Sequence, residues 1–159
     1  MKTIFLIRNN IFIGLLGLLF FTACEDVNSN SSIQSYRVYI NQNLNQYAIE
    51  LRTMGGSKTY TEVIWNEGVA AIGYGGVLVI HGYDDNYYAF DMACPKEKKR
   101  TVRVQPNGAG QAVCEQCGSV FNIGYGSGNC VSGEAKEALR RFRVSVQAST
   151  QGDILQVNN

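Results

Sequence analysis

Apolar residues along this chain recur mostly at every second position. Val38 and Ile40 alternate with Arg37 and Tyr39, and Tyr88, Phe90 and Met92 alternate with Tyr87, Ala89 and Asp91. Val102 and Val104 alternate with Thr101 and Arg103, and Phe142, Val144 and Val146 with Arg141, Arg143 and Ser145. A period of two puts each set on one face of a strand. Residues 77–80, Val-Leu-Val-Ile, form a continuous apolar run instead, which suits a strand buried on both faces. Breaks rich in glycine at 73–76, 82–86, 106–110 and 124–128 supply turns. One segment, 134–141, carries Glu137 four residues before Arg141 in helical fashion, but it is short and uncapped. The pattern predicts an all-β fold, an antiparallel β-sandwich or barrel of short strands.

Composition agrees: 17 glycines and nine tyrosines stand against two prolines in 159 residues. A net charge of +1 gives no support to nucleic-acid binding. The basic run Lys96, Lys98, Lys99 and Arg100 around Glu97 reads as a solvated hairpin loop. The glycines at 124–128 read as a tight hairpin rather than a phosphate cradle, since no helix follows. His81, the single histidine, reads as a surface or turn residue. Without a second histidine there is no material for a Cys-His or Ser-His-Asp set. A stand-alone enzyme is therefore not expected.

The N-terminus sets a compartment. Lys2 and Arg8 precede an apolar stretch of 11 residues, 11–21, well short of the ~20 that span a bilayer. It ends in Phe21-Thr22-Ala23-Cys24. Small residues before a cysteine resemble the lipobox of bacterial lipoproteins. The resemblance implies a signal peptide at 1–23, cleavage before Cys24, and lipidation of Cys24. Residues 24–35 are polar and read as a lipid-anchored tether, leaving 36–159 as the β domain. The expected localisation is the cell envelope, with the membrane as a partner through the lipid on Cys24.

Four more cysteines, Cys94, Cys114, Cys117 and Cys130, are spaced C-x19-C-x2-C-x12-C. Tyr88-Ala89-Phe90-Asp91-Met92-Ala93-Cys94-Pro95 resembles the strand and first cluster loop of a Rieske iron–sulfur domain. Ala112-Val113-Cys114-Glu115-Gln116-Cys117-Gly118-Ser119-Val120-Phe121-Asn122 resembles its second loop and the strand that follows. Gly128-Asn129-Cys130-Val131-Ser132-Gly133-Glu134-Ala135 resembles the third, covering loop. The likeness runs over residues 36–158 and implies a Rieske-like fold with cluster-type loops. Both histidine ligands of the family are absent: Lys96 follows Cys94-Pro95, and Cys117 stands in the second histidine position. By the resemblance, Cys94 and Cys114 would hold one iron, with Cys117 and Cys130 on the other.

Three uses of the four thiols stay open. An all-Cys [2Fe-2S] cluster would make the chain an electron-transfer component with a protein redox partner, at a lower potential than a histidine-ligated cluster. Against it, Arg8-Asn9-Asn10 is not a twin-arginine signal, so the chain is expected to cross the membrane unfolded, without a cofactor. A structural zinc site of four cysteines is the second use. The third is a metal-free, disulfide-stabilised binding or scaffolding module, since exported thiols commonly oxidise and four allow three pairings.

Overall fold

The computed structural model describes residues 31–159. The leader and Cys24 lie outside the described residues. The strands, in chain order, are β1 (Val38–Asn43), β2 (Ser57–Tyr60), β3 (Val69–Ile72), β4 (Val77–His81), β5 (Tyr87–Asp91), β6 (Gln105–Pro106), β7 (Gln111–Val113), β8 (Val120–Asn122), β9 (Cys130–Ser132), β10 (Arg141–Gln147) and β11 (Ile154–Asn158). Single 3-10 turns occur at Ile49–Arg52 and Trp65–Glu67. All strand pairs are antiparallel. Seven strands form one nearly closed, barrel-like sheet in the order β2-β4-β5-β10-β11-β1-β3. The other four form a second sheet, β6-β7-β8-β9. The all-β expectation holds.

The β4–β5 hairpin is the wall between two hydrophobic cores. Val77 and Val79 of β4 face a core with Val38, Ile40, Phe142, Leu155 and Val157. Leu78 and Ile80 face the other way, toward Phe90, Met92, Phe121, Ile123 and Leu139. All five residues of β4 are buried, as the continuous apolar run at 77–80 predicts. The second core also contains Cys94 and Cys114, whereas the first contains no sulfur. The cysteine loops are thus part of the packing between the wall and the small sheet.

Several expectations are corrected. Val102 and Val104 do not form a regular strand. That segment pairs with the first cysteine loop through a bridge between Ala93 and Arg103, with Cys94 N donating to Val102 O (3.0 Å) and Val104 N to Met92 O (2.7 Å). The turn at Lys99 shortens the pairing, so the regular strand is only Gln105–Pro106. The short, uncapped segment at 134–140 is irregular, in keeping with its weak helical pattern, and Ser119 Oγ accepts from the amides of Glu134 and Ala135 at its start. His81 is not a surface residue. It is buried at the end of β4, stacked on Tyr87 with ring centroids 4.4 Å apart, its Nε2 2.9 Å from Asp85 Oδ1. The end of the segment expected as a tether docks on the domain: Ile33 is buried, and Arg140 Nε donates to its carbonyl at 2.7 Å.

A candidate metal centre of three cysteines

Cys94 follows β5 in a turn closed by Lys98 N donating to Cys94 O at 2.9 Å. The loop is supported from below by Asp91, whose buried carboxylate accepts from the backbone N–H groups of Tyr74 (2.8 Å), Gly75 (2.9 Å) and Ala93 (2.8 Å). Burial still raises the Asp91 carboxyl above its ordinary pKa, with these bonds opposing it. The second loop, between β7 and β8, closes through Cys114 N to Ser119 O (2.9 Å) and Gly118 N to Cys114 O (2.8 Å). Gly118 has a φ of 65°, a left-handed conformation that a Cβ would disfavour. That turn brings Cys114 and Cys117 to the same side.

The two loops meet at their thiols. The sulfurs of Cys94, Cys114 and Cys117 all lie within 4.8 Å of one another, and Cys94 and Cys117 are 3.6 Å apart. Cys94 and Cys114 are buried, while Cys117 is half-buried and forms the open side of the group. All four cysteines of the domain are free thiols, and 3.6 Å is far from the ~2.05 Å of a disulfide bond. None of the disulfide pairings left open by the spacing is formed.

Cys130 stands outside this group. It lies in β9 opposite Phe121, half-buried, and donates its S–H to the carbonyl of Ser132 at 3.2 Å. The fourth thiol therefore does not complete a four-sulfur cage.

Each thiol has its own environment. Burial pushes the Cys94 thiol up to about 12, and hydrogen bonding with Cys114 and Cys117 adds to the shift. At Cys117 partial burial acts in the same direction but is outweighed, and the thiol is held below its ordinary value by hydrogen bonds from Ser119 and from the two neighbouring thiols. Ser119, two residues after Cys117, is a further residue of this site. It is fully buried, its Oγ accepts from Glu134 N (3.0 Å) and Ala135 N (2.9 Å), and it lies 3.1 Å from Cys117 Sγ. With both lone pairs engaged, its O–H proton is directed at the sulfur. Its signal in the sequence is a hydroxyl two residues after a thiol.

The basic run is an exposed turn, as expected, and it ties the first cysteine loop to the third. Lys96 pairs with Glu134, and Lys98 Nζ lies 3.6 Å from Glu137 Oε1. Arg100 Nε donates to Tyr74 O at 2.7 Å.

No family model matches the chain, and no curated protein or solved structure matches it significantly.

Proposed function

We propose that this chain is a lipid-anchored protein of the cell envelope that binds one thiophilic metal ion, Zn²⁺, through Cys94, Cys114 and Cys117. The observation that carries this reading is the mutual spacing of the three sulfurs, all within 4.8 Å. A tetrahedral ion with metal–sulfur bonds of ~2.3 Å sets its sulfurs about 3.8 Å apart, so three such thiolates fit one face of its coordination shell. Thiolates on opposite irons of a two-iron cluster are held farther apart, by the width of the cluster core. Soft thiolate sets of this kind suit zinc, and three protein ligands leave a fourth position open to water or an incoming ligand. A lipid anchor at Cys24 is supported by the apolar leader and the small residues before that cysteine.

The test is metal content and metal affinity of the natively purified full chain, with Co²⁺ as a coloured substitute for Zn²⁺. We expect one ion per chain. Cys94→Ser, Cys114→Ser or Cys117→Ser should each abolish the thiolate–cobalt absorption, while Cys130→Ser leaves it intact. Protein without stoichiometric metal, or equal dependence on Cys130, overturns the reading. In the same cells, Cys24→Ala should move the protein from the membrane fraction to the soluble envelope fraction, and unchanged membrane retention counts against the anchor.

A second reading is the all-cysteine [2Fe-2S] centre of a Rieske-like electron-transfer protein. What favours it is that Cys94, Cys114 and Cys117 sit on loops projecting from short antiparallel strands, with the third loop held over Ser119. It requires two irons per chain and Cys130 as a ligand, so the same measurement separates the two.

A further inference from the structure

The segment that leads into β1 is strapped to the domain. Ser32 N donates to Glu137 Oε2 at 2.6 Å, and Ile33 beside it is buried with its carbonyl held by Arg140. Asn159 Nδ2 then donates to Ser35 Oγ (3.2 Å) and to Tyr36 O (2.8 Å). The chain therefore joins the domain at a fixed point, Ser32 on Glu137. Cys24 is eight residues before Ser32. At roughly 3.6 Å per residue, no more than about 29 Å can separate them. A compact domain of this size is about 36 Å across. A lipid on Cys24 therefore keeps the face around Ser32 close to the bilayer, and the opposite face can reach it only if the strap wraps round the domain.

The basic turn lies on that face. Glu137, which takes the Ser32 N–H, lies 3.6 Å from Lys98 Nζ through its other oxygen. Further along the strap, Tyr36 stacks on Tyr74 with ring centroids 5.4 Å apart. The Arg100 guanidinium sits 5.3 Å from the Tyr36 ring and 5.5 Å from that of Tyr74. Tyr74 Oη donates to Lys98 O at 3.1 Å. Lys98 and Arg100 are thus both fastened beside the strap. Lys96, Lys98, Lys99 and Arg100 are exposed, and so is Lys136, one residue before Glu137. These cations outnumber the carboxylates among them, Glu97, Glu134 and Glu137. Lys96 and Lys98 are paired with Glu134 and Glu137, whereas Lys99 and Lys136 are in no ion pair among the described residues.

We infer that this turn, with Lys136, docks on the anionic phospholipid headgroups of the membrane that holds the lipid on Cys24, an inference that rests on the anchor proposed above. Charge selects the partner. An anionic bilayer attracts Lys and Arg only within about a Debye length, roughly 8 Å in physiological salt, and each cation held there strengthens binding about fivefold. So few cations would hold an untethered domain only weakly. The lipid keeps them within reach, so a weak contact becomes an intramolecular one. Tyr36, exposed beside Arg100, has the apolar ring and polar tip that suit the headgroup layer. Docked this way, the turn that follows Cys94 faces the bilayer. The competing occupant of the turn is the chain's own acidic pair, Glu25 and Asp26, directly after Cys24.

The test places the natively purified, lipidated chain in vesicles of phosphatidylcholine, with or without phosphatidylglycerol, and reads the acetylation rate of each lysine by mass spectrometry. We expect Lys98, Lys99 and Lys136 to react severalfold more slowly when phosphatidylglycerol is present. Lys58, which is in none of these contacts, should keep its rate. High salt should remove the difference. The double variant Lys99→Gln/Lys136→Gln, which breaks no ion pair, should return Lys98 to its rate on phosphatidylcholine. Equal rates on the two vesicles overturn the inference and leave the anchor standing, whether the lysines are open or covered by Glu25 and Asp26. Slowing that survives high salt overturns it as well. A chain retained by neither vesicle overturns the anchor, and this inference falls with it.

Discussion

Asp91 is a single residue on which a whole loop rests. Its two carboxylate oxygens take three backbone N–H groups, from Tyr74, Gly75 and Ala93, one residue before the first cysteine. Asp91→Asn keeps the shape but turns an amide NH₂ toward one of those donors, so we expect a loss of about 1–3 kcal/mol. The pH dependence has a definite sign. Burial raises the carboxyl in the folded chain, so its contribution is fully present below the unfolded pKa and declines as pH rises through the folded value. Native stability should therefore exceed that of the variant most in acid, with the gap narrowing toward neutral pH. Urea unfolding of both proteins over that range measures it, and a gap that widens with pH contradicts the assignment.

At the scale of elements, the third loop is held down by contact with the second. Gly133 has a φ of 98°, and a Cβ there would stand 2.5 Å from Ser119 Cα, a backbone atom that cannot step aside. Gly133→Ala should lift the loop from Ser119 and cost about 2–3 kcal/mol. Gly108, with a φ of 76° but open space around it, supplies the control, since alanine there meets only the backbone strain of about 1 kcal/mol. Thermal unfolding of the two variants should separate them, and equal losses would show that the close approach to Ser119 does not matter. The elements also show what could be read from residue order. β4, β5 and β10 were legible because their apolar residues are strictly patterned. β2 was not, because Ser57, Lys58 and Thr59 give it little apolar signal and its only buried side chain is Tyr60. The four cysteines were legible as one candidate set, but the grouping of Cys94, Cys114 and Cys117 apart from the fourth was not. Cys130 was not separable from them, because spacing alone does not say that β9 pairs with β8 and carries its thiol to a different contact.

The whole molecule divides its apolar packing between two cores, and only one includes cysteines. The core of the barrel-like half contains no cysteine. If Zn²⁺ binds the three thiols, it stabilises the chain by mass action, by about 2.7 kcal/mol at a free concentration of 100 times Kd. Its removal should loosen the cysteine half first. In native-state hydrogen exchange after chelation, amides of β7 and β8 should lose protection, while those of β1, β10 and β11 keep theirs. Uniform loss across both sheets would mean that the two halves unfold as one unit.

The hairpin shared by the two cores has a consequence for how this sequence is constrained. Odd and even positions of β4 answer to different neighbours: Val77 and Val79 to the barrel, Leu78 and Ile80 to the cysteine half. Two independent sets of requirements are interleaved there, one residue apart. Changes at alternate positions can accumulate in one set while the other is held, so the thiol-bearing half can be rebuilt by drift or by design without disturbing the barrel behind it.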